Sequence, residues 1–137
     1  MKYCLTMNEE QARTIIAACD FWIRMRIGQW DELINLCTEY EQGKEVEYRH
    51  RREVLADRLF EARQIAMPEL TRNASYGVFK FPQTERAYNL LKAVRSAIAW
   101  HNKPEGGWTV DFDRPMVMEV KEELPECKAV EEGRNEK

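Results

Sequence analysis

The stretch NEEQARTIIAACDFWIRMRIG, residues 8–28, decides how the rest of the chain is read. Ala12, Ile15, Ile16, Cys19, Trp22, Ile23 and Ile27 recur at spacings of three and four, the period of one helical face. Asn8 stands at an N-cap position with Gln11 three residues on, a capping-box variant in which each side chain meets the other residue's backbone N–H. Gly28 punctuates the end of the pattern. A helix from about residue 9 to Ile27 follows, with one apolar stripe that needs a covering layer.

Working outward, the same period returns three times. Trp30, Leu33, Ile34, Cys37 and Tyr40 share a face of a second helix over about Gln29 to Tyr40. Glu41-Gln42-Gly43-Lys44 is a turn. A third helix spans about Val46 to Met67, with Leu55, Leu59, Ala62 and Ala66 in line, Val54 and Ile65 beside them, and Pro68 limiting its end. Residues 68–83, PELTRNASYGVFKFPQ, form a long loop, of the kind that often carries function. Thr84 is expected to cap a fourth helix whose face holds Ala87, Leu90, Leu91, Val94, Ala97 and Ile98. Asn102 and the turn Pro104-Glu105-Gly106-Gly107 stop it.

The ends of the chain read as extended. Lys2–Thr6, Trp108–Phe112 and Met116–Val120 alternate like strands, with a bend at Asp113-Arg114-Pro115. The expected fold is therefore α+β and mostly α: four helices with a small antiparallel sheet built from both ends. Residues 1–118 form the expected single domain, and residues 119–137 an acidic, mobile segment. Residues 1–118 hold 17 Lys+Arg and 17 Asp+Glu, whereas 119–137 hold 4 and 7, so the net charge of −3 belongs to the tail. This balance excludes a broad basic surface for generic polyanions but permits a local positive pocket. With 137 residues, 44% of them hydrophobic, the chain has room for one core. It carries no apolar run of membrane-spanning length and opens without a secretory h-region, so a cytoplasmic location is expected.

Catalytic signatures are sparse. There is no phosphate-binding glycine loop and no G-x-S-x-G elbow. Ser75 and His101 could join a relay, but no spacing requires it. Cys4, Cys19, Cys37 and Cys127 form no C-x-x-C pair, and only His50 and His101 could complete a zinc site, so neither metal nor cofactor is expected. Cys19 and Cys37 fall on apolar faces and read as reduced, buried thiols. Asp31-Glu32 reads as a helix N-terminal pair rather than a chelate. The run Tyr48-Arg49-His50-Arg51-Arg52 reads as a solvated, salt-bridged face or, alternatively, as a seat for one or two phosphates. Trp22, Trp30 and Phe60 read as core.

Four stretches carry a resemblance: YCLTMNEEQARTI (3–15), RIGQWDEL (26–33), RNASYGV (72–78) and ERAYNLLKAVRSAIAWH (85–101). They are similar to a group of small accessory proteins encoded by phages and prophages, over roughly residues 3–115. In that group an Ile/Met-Gly-Gln-aromatic-x-Glu segment follows the first helix, and a glycine- and aromatic-bearing loop precedes the last. The resemblance implies an accessory role, among nucleic-acid mimics, enzyme inhibitors and sponges for nucleotide immune signals. It implies no site residues.

From the residues themselves, arginine, aromatic and amide side chains flank the helix breaks. The expected function is a non-enzymatic binder that sequesters a small nucleotide-like ligand. Arg24, Arg26 and Arg86 would hold phosphate, Tyr76 or Trp100 would stack, and Gln29, Asn73 and Ser75 would read polar edges. The alternative is a protein–protein module or an inhibitor of a host protein. In either case a homo-oligomer is expected, most simply a dimer, because a small four-helix domain has surplus apolar faces. Membrane and nucleic-acid partners are not expected.

Overall fold

In a computed structural model, residues 3–113 and 121–130 are described. Four helices form: α1, Glu9–Ile27; α2, Asp31–Cys37; α3, Glu45–Ala66; and α4, Pro82–Asn102. Two single 3-10 turns, Val78–Lys80 and Val110–Phe112, flank α4. The expected sheet is not there: no residue among those described is in a strand. Residues 3–6 have no regular structure, and 110–112 wind into a 3-10 turn that brings Phe112 edge-on to Trp100, centroids 5.2 Å apart. The alternation at 108–112 thus has another cause, one aromatic ring seated on α4 with Trp108 and Val110 left exposed. Lys2 and the 116–120 stretch lie outside the described residues.

α1 starts as its sequence predicts. The Asn8 Oδ1 accepts from the Gln11 N–H at 2.9 Å, and the Gln11 Oε1 accepts from the Asn8 N–H at 2.9 Å. At its end Gly28 takes φ +89°, a left-handed cap, and donates to the Met25 carbonyl at 3.3 Å. The Trp30 Nε1 also donates to that carbonyl, at 2.9 Å, and fixes the break before α2. α2 is shorter than expected because Thr38 turns extended and its N–H closes the helix on Ile34. Pro82, not Thr84, begins α4. Thr84 is fully buried instead, its hydroxyl against the carbonyls of Val78 and Phe81, which ties the first 3-10 turn to the helix.

The core lies between α1 and α4. Ala12, Ile23 and Ile27 of α1 and Leu91, Ala93 and Val94 of α4 are buried, with Ile34 and Leu70 completing it. The Tyr76 N–H donates to the Ile27 carbonyl at 2.9 Å and Arg26 lies over Phe81, so α4 starts beside the end of α1 and runs back along it. Trp22 departs from its core reading at 43% exposure, and Cys37 is exposed rather than buried. All four cysteines are free thiols; burial pushes those of Cys19 and Cys127 up. α4 also buries polar groups: Glu85, Asn89 and Lys92 join Thr84, and the Lys92 ammonium donates to the Val110 carbonyl.

α3 packs differently. Its 22 residues include one buried side chain, Arg63, and its only helix partner among the described residues is α2. Arg63 holds the fold at that point. Its Nη1 donates to the Gly28 carbonyl at 2.8 Å and the Ala74 carbonyl at 3.1 Å, and its Nη2 to Thr71 at 2.6 Å and Arg72 at 2.9 Å. A guanidinium suits this task because its donors form a rigid planar fork. One side chain from α3 thus fastens the cap of α1 and the loop that leads to α4.

Candidate functional site

The break after α1 and the loop fastened by Arg63 form one surface. Five of the eight predicted site residues fall in two contact groups there, Arg24 with Gln29 and Ser75, and Arg26 with Tyr76 through Phe81. Arg24, one turn before the break, is held by Asp20 at 2.7 Å and by Glu32 at 3.3 Å. The hydrogen bond to Asp20, aided by both carboxylates, raises the pKa of its guanidinium. The Arg24 Nη1 also donates to the Gln29 Oε1 at 3.2 Å, and the Gln29 Nε2 donates to the Ser75 Oγ at 3.3 Å. The amide of Gln29 is therefore aimed by the arginine behind it, and it joins the two segments across the surface.

Beside this chain lies an aromatic pair. Tyr76 and Phe81 meet edge-on, centroids 5.5 Å apart. Arg26 lies over Phe81 at 4.6 Å and Lys80 over Tyr76 at 5.7 Å. Among the described residues neither Arg26 nor Lys80 has a carboxylate partner; Arg24 is the side chain that takes Glu32. Two cations held on rings, with no acidic partner among the described residues, leave a local positive potential there. Asn73 is exposed two residues before Ser75, between loop carbonyls that Arg63 fastens.

Arg86 and Trp100 are elsewhere. They stand about 21 Å apart along α4, at 1.5 Å per residue. Arg86 forms a fork with Glu122, its Nε donating at 2.9 and 3.0 Å and its Nη2 at 2.6 Å. That bond holds the Glu122 carboxyl below its ordinary range. Trp100 packs on Phe112 and lines a groove of about 490 Å³ between α4 and residues 124–129. Neither joins the α1 surface. His101 is at the far end of α4 from Ser75, about 29 Å along the helix from Pro82, so a serine–histidine relay is not assembled. No cluster of His, Cys, Asp and Glu able to hold a metal occurs among the described residues.

Sequence reasoning passed over Lys80 and Arg63. The Phe79-Lys80-Phe81 alternation was a usable signal for Lys80, since it puts a cation between two rings. Arg63 sits beside the apolar line of α3 like any solvated arginine; its carbonyl partners are set by tertiary structure alone.

A second concavity, about 560 Å³, lies between α2 and the first half of α3. Tyr40 and Tyr48 meet edge-on at its wall, centroids 5.4 Å apart, and the Tyr40 hydroxyl donates to Glu45 at 2.7 Å. Arg52 is consumed at its floor by Thr38, Asn35 and Tyr48, at 2.9, 2.7 and 3.3 Å.

No family model, curated protein or solved structure matches the chain.

Proposed function

We propose that the chain is a non-catalytic binding protein for a small nucleotide-like anion, engaged on the surface where α1 ends. The observation that carries this reading is the pair of cations, Arg26 and Lys80, resting on Phe81 and Tyr76 without an acidic partner among the described residues. Phosphate would sit against the two cations, and the amides and hydroxyl of Gln29, Asn73 and Ser75 would meet polar edges of the ligand. Arg24 orients Gln29, and Arg63 holds the loop that carries Asn73, Ser75 and Tyr76. Arg86 and Trp100 have no part in this version of the site. The Ser75 hydroxyl accepts from Gln29, and His101 stands at the far end of α4 from it, which favours capture over turnover. Sequestration of a host nucleotide signal is the role that fits both this chemistry and the phage accessory resemblance.

The test is a thermal-shift and calorimetric screen with cyclic dinucleotides and ADP-ribose derivatives. A ligand at a hundredfold excess over its Kd adds about 2.7 kcal/mol to stability, a readily visible shift. Arg26→Ala and Lys80→Ala should each abolish it while the apo protein melts near the wild-type temperature. No shift with any ligand at high micromolar concentration would remove the reading and leave a protein-binding role in its place. Mass spectrometry of the same mixtures separates capture from turnover.

A further inference from the structure

We propose that the first half of α3 is the seat of a second copy of this chain, docked antiparallel across a two-fold axis near Arg51. This surface is separate from the α1 site, and its test is independent of any ligand.

The chain exposes 11028 Å². A compact monomer of 16.3 kDa exposes about 7,500 Å². A standard interface needs about 800 Å² from each partner. α3 is where the helical body is least covered. It is about 33 Å long, buries no apolar side chain, and packs on one seven-residue helix. Val46 is 77% exposed and Val54 46%, and on the adjoining α2 Leu36 is 69% exposed.

The occupant follows from the pattern on that face. Val46, Arg49, Glu53 and Ala56 are spaced by three, four and three, so they share one side of the helix. The order apolar–Arg–Glu–apolar is its own complement when reversed. A two-fold axis near Arg51 sets Val46 against Ala56 of the second copy, and Arg49 against Glu53 of the second copy, and then repeats both pairings. An isologous interface requires this kind of self-complementarity. Arg49 and Glu53 have no ion-pair partner among the described residues, so both are available for it. The edge-on Tyr40–Tyr48 pair borders the face, the type of rigid aromatic side chain that anchors interfaces.

Light scattering on the full chain tests the proposal. The expected mass is twice 16.3 kDa at micromolar concentration. Arg49→Glu places two glutamates opposite one another twice, and Glu53→Arg does the same with arginines. Each should weaken the dimer by about tenfold or more. The double variant Arg49→Glu/Glu53→Arg restores opposite charges at both crossings and should restore the dimer. Helix content by circular dichroism checks that each variant is folded. A 16.3 kDa species at every concentration overturns the proposal. So does a dimer indifferent to the single changes, or a double variant as weak as the singles.

Discussion

Replacing Arg63 by Met keeps an unbranched stem and deletes the fork. Four carbonyls then lose their donor: Gly28, Thr71, Arg72 and Ala74. Thr71 and Arg72 are exposed, so water can replace the guanidinium at their carbonyls, at a cost of roughly 0.5 kcal/mol each. Gly28 is buried, and its orphaned carbonyl costs about 2 kcal/mol, with Ala74 between these limits. Relief from burying a charge offsets a fraction of the sum. A net loss of about 3 kcal/mol is expected, against a total stability of about 5–15 kcal/mol for a domain of this kind. That is a fall in Tm of roughly 10 °C. Arg58→Met is the control, because Arg58 is an exposed arginine of the same helix, paired with Glu61 at 2.8 Å. Urea denaturation of both variants and the wild type measures the difference. Arg63→Lys should fall between, since an ammonium cannot span four acceptors. If Arg63→Met lost less than about 1 kcal/mol, or no more than Arg58→Met, the fork would not be fastening the loop.

Further outcomes follow from single features. Gly28→Ala should cost about 2–4 kcal/mol, because φ is +89° and the new Cβ would lie 2.7 Å from Leu70 Cδ1; Gly43→Ala, at φ +83° with nothing within 4 Å, should cost only about 1 kcal/mol in chemical denaturation. Asn8→Ala removes half of the capping box and should cost about 1 kcal/mol, read in the same assay, with α1 fraying at its start. The Glu122 and Glu45 carboxyls are lowered below 4.5, the first by Arg86 and the second by the Tyr40 hydroxyl. Their contributions are present well above that value and fade as pH falls below it through the lowered ones, so Glu122→Gln should flatten the loss of stability as pH falls below about 4.5.

The helices were legible because a period of three and four survives whatever the helix packs on. The capping box of Asn8 and Gln11 needs only local geometry, and it formed as spelled. The strand expected at 108–112 failed for the opposite reason: its alternation is equally the mark of one ring, Phe112, turned onto a helix, and no neighbouring strand was required by the sequence. Thr84 had the composition of a cap but sits two residues inside α4, because Pro82 is better suited to the first turn. At the site, Arg24, Arg26, Gln29, Ser75 and Tyr76 were brought together because they flank the two chain segments that meet at Ile27. Arg86 and Trp100 were drawn in by residue type alone, and helix length separates them.

α4 also serves as a ruler. Thr84 grips the turn that precedes the helix and Lys92 the turn that follows it, eight positions apart, or about 12 Å along the axis. A hydroxyl and an ammonium bound in this way tolerate no slippage, because moving either turn by one helical repeat strands a buried donor. A core of few apolar side chains would let segments slide; two polar pegs on one rigid rod set where the chain before and after it must lie.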